Sequence, residues 1–278
     1  VGMISIEEFS LAVRTVLRRE LNDPQRECVL HPTRPALMIV AGPGSGKTTV
    51  LVLRALRHVL VDGMDPESVM ITTFTRKAAG ELSSRLLGWG IRLVEHFSAQ
   101  AHANGQADLL AWLMRLDVNA IRSGTLDSFC QKWLGKTRAV GSPPPIMLEE
   151  FAANFVYRKR IFAANYRGGE QVRLDPYLAQ YTFEGTPPRN QTEAGNISIS
   201  INNRLIQDLA KAEQYAGSGI PEAVQGNLLE QYRTHLQSRQ MFDFSLCSER
   251  VLNGLRSGAL YPNLPPVSAL LVDEYQDT

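Results

Sequence analysis

The chain has 278 residues, of which 44% are hydrophobic and 21% charged, and a formal net charge of +1. Those are ordinary globular values with room for one large or two medium domains. They exclude a globally basic nucleic-acid binder, so any nucleic acid must meet a local groove. No apolar run approaches membrane-spanning length and the start lacks a signal-peptide pattern. Cys28, Cys130 and Cys247 lie far apart with no CxxC pair, which disfavours a zinc site or a disulfide framework and fits a reducing cytoplasm.

In chain order, Ile6, Phe9, Val13, Val16 and Leu17 predict an amphipathic helix within 4–20, with Arg14, Arg18 and Arg19 on its solvated face. Asp23 then offers an N-cap and Pro24 a first helical residue. Gln25 falls in that first turn, and its amide carries the donor and acceptor that an adenine edge matches, although such a glutamine alone is an ordinary surface residue. Ala36 to Val40 reads as a short buried strand. It leads into Ala41-Gly42-Pro43-Gly44-Ser45-Gly46-Lys47-Thr48 and a helix from Thr49 to Leu60 with apolar Val50, Leu53, Leu56 and Leu60. Strand, glycine-rich turn and helix opening on Gly-Lys-Thr are the context that a phosphate-binding loop requires. Small residues at 41, 42, 44 and 46 let the backbone turn its N–H groups inward around a phosphate, and the helix N-terminus adds its dipole. Lys47 would reach the β- and γ-phosphates of a nucleotide, and Thr48, followed by Thr49 in the first turn, would offer a hydroxyl to Mg²⁺.

Ser68 to Thr73 predicts a second buried strand, followed by Phe74-Thr75-Arg76-Lys77 and a helix over 78–87. Residues at a strand's carboxyl end line the crevice where open α/β sheets bind ligands. Thr72, Phe74, Thr75, Arg76 and Lys77 suit a single nucleic-acid strand, the ring stacking on a base while cations and hydroxyls meet phosphates. The same residues also suit a basic helix start with Phe74 packed inward. Asp108 to Leu116 predicts a helix and Val118 to Ile121 a strand, with Gly124-Thr125-Leu126-Asp127-Ser128 at its end and a helix from Cys130. Gly141-Ser142-Pro143-Pro144-Pro145 breaks the chain, 147–164 looks helical, and 168–203 reads as long loops. Helices are expected over 204–216, 221–239 and 243–255. An apolar strand, Ala269 to Val272, ends in Asp273-Glu274, where Asp273 would bind Mg²⁺ and Glu274 would activate water. An acidic pair after a strand is weak evidence alone and strong beside a phosphate loop.

Four stretches, Asn-Asp-Pro-Gln-Arg-Glu, Ala-Gly-Pro-Gly-Ser-Gly-Lys-Thr, Thr-Phe-Thr-Arg-Lys-Ala-Ala and Asp-Glu-Tyr-Gln-Asp-Thr, resemble in order the first motifs of superfamily 1 DNA helicases of the UvrD/Rep/PcrA kind. Met241-Phe242-Asp243-Phe244-Ser245 is similar to the segment that precedes the acidic motif there. The resemblance implies a RecA-like α/β domain, a parallel sheet flanked by helices, over 1–140 and 241–278, with a mainly helical inserted subdomain over 141–240. It implies ATP and Mg²⁺ as cofactors, single-stranded DNA as partner and 3′-to-5′ movement. Gln25 would read adenine, Ala41, Gly42, Gly44, Ser45, Gly46, Lys47, Thr48 and Thr49 hold the nucleotide, Lys47 and Glu274 act in catalysis, Thr48 and Asp273 hold the metal, and Thr72, Phe74, Thr75, Arg76, Lys77 and Thr125 touch DNA.

Two departures stand out. The family's usual Thr-Phe-His-Ser is here Thr125-Leu126-Asp127-Ser128, and Arg76 occupies a position where Asn is common. The chain ends directly after the acidic motif, so a fragment is expected, lacking the second motor domain and weak or inactive alone. A helicase–nuclease motor and a nucleotide-gated binding module are the alternatives, and the sequence is silent on oligomeric state.

Overall fold

Three parallel strands organise the α/β part of a computed structural model that describes residues 4–136, 141, 144–166, 171–182, 184–207 and 224–275. The chain divides into two compact units, Val1–Phe129 with Pro265–Thr278, and Cys130–Leu264. The expected limits at 140 and 241 are therefore displaced. Cys130 at one side, and Leu246, Val251 and Leu260 at the other, belong to the apolar core of the helical unit.

In the first unit, α1 (Ile6–Thr15) buries Phe9, Ala12 and Val13 and opens with a reciprocal capping box between Ser5 and Glu8. Arg14, Arg18 and Arg19 are exposed, as the amphipathic pattern predicts. Helix α2 (Asp23–Leu30) is capped by Asn22 rather than Asp23, which moves Pro24 one place inward. Asn22 wins because its side chain and that of Gln25 satisfy each other's backbone N–H groups. Helix α3 (Lys47–Leu60) buries Val50, Leu53, Leu56 and Leu60 as expected. Each such side chain contributes roughly 1.5–3 kcal/mol of burial free energy.

Strand β1 (Val69–Thr73) is buried throughout. It runs parallel to β2 (Arg122–Thr125) on one side and to β5 (Ala269–Val272) on the other. The expected buried strand at 36–40 is not found. That segment has no regular secondary structure and is exposed, Met38 at 76% and Val40 at 86%, and pairs with no strand among the described residues. Apolar composition suits a strand, but a strand also needs a ladder to join, and 36–40 joins none.

The helix expected over 78–87 runs on as α4 (Arg76–Ala103), followed by α5 (Ala107–Arg115). Gly88 and Gly90 interrupt the apolar spacing without ending the helix. At Gly90 an added Cβ would lie 2.3 Å from Val118 Cγ1 and 3.2 Å from Leu56 Cδ2, so the missing side chain permits close packing. The strand expected at 118–121 is instead a 3₁₀ turn over Val118–Ala120, and the ladder starts at Arg122. Helix α6 (Leu126–Lys136) begins directly at the end of β2.

In the helical unit, β3 (Ile146–Met147) pairs in parallel with β4 (Met241–Phe242). A continuous helical stretch comprises α7 (Glu150–Val156), a π turn (Tyr157–Phe162) and α8 (Ala163–Asn165). The expected loops of 168–203 are largely helical, as α9 (Gln171–Ala179) and α10 (Gln191–Gln207). Helix α11 (Val224–Gln237) and α12 (Phe244–Arg256) complete the unit. The remainder of the helix expected at 204–216, and the start of that at 221–239, lie outside the described residues. Polar groups fix this core. Tyr157 and Ser198 share a 2.6 Å hydrogen bond, and Tyr232 donates to Asp243 Oδ2 at 2.7 Å while Asp243 Oδ1 caps α12. Burial raises the Asp243 carboxyl against those bonds and lifts the Tyr232 phenol far above its usual range.

The two glycines of α4 give a paired test. Gly90→Ala drives a methyl into the stiff Val118 side chain and should lower unfolding free energy by about 1–3 kcal/mol. Gly88→Ala, with nothing within 4 Å of the added atom, should raise it by about 0.5–1 kcal/mol through helix propensity. Urea unfolding of both variants checks the opposite signs.

Candidate functional site

The glycine-rich loop turns sharply into α3. Gly44 and Gly46 hold φ at +74° and +87°, a left-handed region costly for any residue with a Cβ. Gly46 is also the N-cap of α3, and a Cβ there would meet Gln25 Nε2 at 2.8 Å. Ala41 to Ser45 are exposed and Lys47, Thr48 and Thr49 half-buried in the first turn. Lys47 Nζ donates to the carbonyls of Ala41 at 3.1 Å and Gly42 at 3.3 Å, so its ammonium lies over its own loop.

Gln25 is tied to that loop. Its Nε2 donates to Ser45 O at 2.8 Å, while its Oε1 accepts from Asn22 N at 3.2 Å. Behind it lies a buried polar clamp that the sequence pattern alone does not reveal as such. Arg54 donates to the carbonyls of Cys28, His31 and Pro32, and Arg57 to His31 O and Asp62 Oδ1. His58 Nδ1 and Asp62 Oδ2 are 2.7 Å apart. A signal is nevertheless present. Arg54, Arg57 and His58 sit at i, i+3 and i+4, one stripe of a helix whose other neighbours are apolar. Burial lowers the His58 pKa despite Asp62, so the ring favours its neutral form. The clamp fixes the end of α2 and the following turn against α3, and thereby positions Gln25 beside Ser45.

The acidic segment leaves β5 next to this loop. Asp273 is buried, and its N–H donates to Thr72 O at 2.8 Å, continuing the ladder by one residue. Burial raises its carboxyl above the ordinary range, the Glu274 charge adds to that, and the Lys47 ammonium opposes it. The electrostatic reach of Lys47 to Asp273, with α3 packed against β5, brings together two segments more than two hundred residues apart in sequence. Glu274 has φ +52°, an uncommon backbone for a non-glycine residue.

The third group lies at the carboxyl ends of β1 and β2. Phe74 is 60% exposed, not packed inward, and Arg76 and Lys77 are exposed at the start of α4. Thr75 caps that helix, its Oγ1 accepting from Ala78 N at 3.1 Å. Thr72 and Thr125 depart from the DNA-contact expectation. Both are buried, Thr72 within the sheet, and Thr125 Oγ1 accepts from Ser128 N at 3.2 Å at the start of α6. Thr72 lies inside β1 and Thr125 ends β2, and both are covered by their neighbours.

A parallel sheet with helices between its strands, and its functional side chains at the strands' carboxyl ends, defines a RecA-like α/β domain. The chain belongs to the UvrD/REP helicase family: the model of the UvrD/REP helicase N-terminal domain matches residues 21–278. Among curated relatives, the ATP-dependent DNA helicase SRS2 of Saccharomyces cerevisiae is 24% identical over 270 residues, 93% of this chain and 20% of the relative. DNA helicase II of Escherichia coli is 50% identical over 66 residues, 24% of this chain and 9% of that protein. An ATP-dependent helicase/nuclease subunit of Alkaliphilus metalliredigens is 39% identical over 95 residues, 34% of this chain and 7% of that protein. The matched stretches thus cover a fifth or less of the length of these relatives.

The raised Asp273 carboxyl has a consequence for stability. Its ionised form costs folding free energy at neutral pH, and that cost vanishes once pH falls below the ordinary carboxylate range. Asp273→Asn should therefore raise the thermal midpoint of the nucleotide-free protein at pH 7, with the gain gone near about pH 3. Calorimetry at the two pH values checks it.

Proposed function

We propose that this chain is the nucleotide- and single-strand-binding portion of an ATP-dependent superfamily 1 DNA helicase that moves 3′-to-5′ along one strand. The observation that carries the reading is the packing of α3, which opens on Lys47, against β5, which leads into Asp273, with the lysine's charge acting on that carboxyl. The left-handed Gly44 and Gly46, and the loop they form ahead of α3, suit a cradle in which the N–H groups of residues 44–48 donate to phosphate oxygens. Lys47 exchanges its two loop carbonyls for the β- and γ-phosphates of ATP. The Thr48 hydroxyl and the Asp273 carboxylate are hard oxygen donors suited to Mg²⁺, which supplies charge neutralisation at the phosphates when bound. Glu274 takes the proton of the attacking water. Thr49 supports the first turn of α3. Gln25 reads the adenine edge, and in doing so its Nε2 gives up the carbonyl of Ser45.

Exposed Phe74, with Arg76 and Lys77 beside it, forms the single-strand groove, the ring stacking on a base and the cations meeting phosphates. Thr75 shapes the helix start, and Thr72 and Thr125 act from behind as supports rather than as contacts. The reading requires a second α/β domain of the same polypeptide to supply arginines to the γ-phosphate, a contribution of roughly a thousandfold or more in rate. The small share of these relatives' length that the matched stretches cover supports that requirement. Hydrolysis by this chain alone should be slow and unwinding absent. It fits a cytoplasmic setting, and among the described residues no helix is long and apolar enough to cross a membrane. The similarity to a helicase/nuclease polypeptide favours a second reading, in which the same motor portion serves a protein that also carries a nuclease.

Titration with Mg-ATP tests the site. Lys47→Ala should abolish measurable binding, whereas Glu274→Gln should keep the affinity and slow single-turnover hydrolysis by about 10²–10⁴-fold. Normal ATP binding by Lys47→Ala would overturn the assignment.

A further inference from the structure

Two oppositely charged residues stand in the first turns of the helices that follow β1 and β2. Strands β1 and β2 pair in parallel with Thr73 opposite Thr125. Each strand leads directly into a helix whose first turn is capped by a threonine hydroxyl, Thr75 for α4 and Thr125 for α6. The two elements are also joined further back, where Ser83 and Ser123 share a 2.7 Å hydrogen bond. Arg76 is the first residue of α4 and Asp127 the second of α6, so this register brings both to the same end of the sheet, close enough for the Arg76 charge to act on Asp127. Arg76 is exposed and Asp127 half-buried. Burial raises the Asp127 carboxyl, and the Arg76 guanidinium acts to hold it ionised. A carboxylate here also profits from the positive end of the α6 dipole.

A carboxylate bordering a phosphate-binding groove repels the backbone it is meant to admit, and that repulsion is offset where a cation stands between the two. Arg76, whose charge acts on Asp127, is the cation at hand. It has one guanidinium and two claimants, the fixed Asp127 carboxylate and any phosphate that enters beside Phe74. We propose that Asp127 sets the affinity of the single-strand groove, competing with an incoming DNA phosphate for Arg76. The inference rests on the single-strand reading of residues 74–77. In its terms the two departures at 76 and 127 form one charge-compensated pair. Asp127 moderates the gain in affinity that an arginine at 76 alone would bring, and a strand that must step through the groove is released more readily for it. Charges at the edge of such a site act chiefly on binding strength and its salt dependence.

The test uses the whole chain and a fluorescein-labelled oligo(dT), with affinity measured by anisotropy over a salt series. Asp127→Asn, close to isosteric, should tighten binding by about threefold to tenfold at low salt. The log–log salt slope should steepen by about 0.7, the signature of one further phosphate contact on a single strand. In an Arg76→Ala background the gain from Asp127→Asn should shrink by at least about twofold, as expected for neighbours in one network. An Asp127→Asn variant with unchanged affinity, or the same gain in both backgrounds, overturns the competition while leaving the groove standing. Absence of oligo(dT) binding by the wild-type chain, or binding indifferent to Phe74→Ala, overturns both the groove and the pair.

Discussion

Parallel pairing of β1 with both β2 and β5 is the constraint on which the rest of this domain depends. Parallel strands all end on the same side of the sheet, so everything that follows a strand emerges at one edge. The register sets Thr73 beside Thr125 and Thr72 beside Val272. One step further, Asp273 still donates to Thr72, which extends the ladder to the residue that carries the buried carboxylate. Phe74, Arg76, Asp127, Asp273 and Glu274 follow the same ends of three short parallel strands, although they come from three separate parts of the chain.

The loop at 41–48 is held differently. It does not issue from a paired strand among the described residues, since 36–40 has no regular secondary structure and is exposed. Its position comes instead from the helix it opens. Helix α3 is buried along most of its length, and Arg54, Arg57 and His58 bind it to the turn after α2. Losing one arginine there would strand backbone carbonyls in a poorly hydrated place, which is why such clamps are costly to break. Gln25 closes the circuit by donating from α2 to Ser45 within the loop. A loop of glycines is thereby given a defined place by polar contacts well away from it.

Most of the element order is legible in the amino-acid sequence. The helix from Val50 to Leu60, the strand into Phe74, the helix after Asp243 and the apolar run before Asp273 each carry a local period or cap strong enough to decide their state. The features that escape a sequence reading are those that depend on partners. Residues 36–40 have strand composition and no ladder. Val118 to Ile121 look like a strand, but the pairing partner begins at Arg122. The region 168–203 is rich in Gly, Pro, Asn, Gln and Thr, yet α9 and α10 form because Leu174, Tyr177, Leu178, Ala194, Ile199 and Ile201 are buried by neighbours distant in sequence. Buried Ser198 has the character of a loop residue because its partner, Tyr157, lies far away in the chain. Phe74 suits core and surface equally by its spacing, and its observed exposure separates the two.

The central claim is that the glycine-rich loop and the acidic strand end form one electrostatic site. It is most directly tested by following the Asp273 carboxyl through a pH titration by ¹³C NMR in the nucleotide-free protein, in the wild type and in Lys47→Met. If Lys47 holds Asp273 toward its ionised form, removing the ammonium shifts that titration to higher pH. An Asp273 titration unchanged by Lys47→Met would mean that the two segments do not share a site.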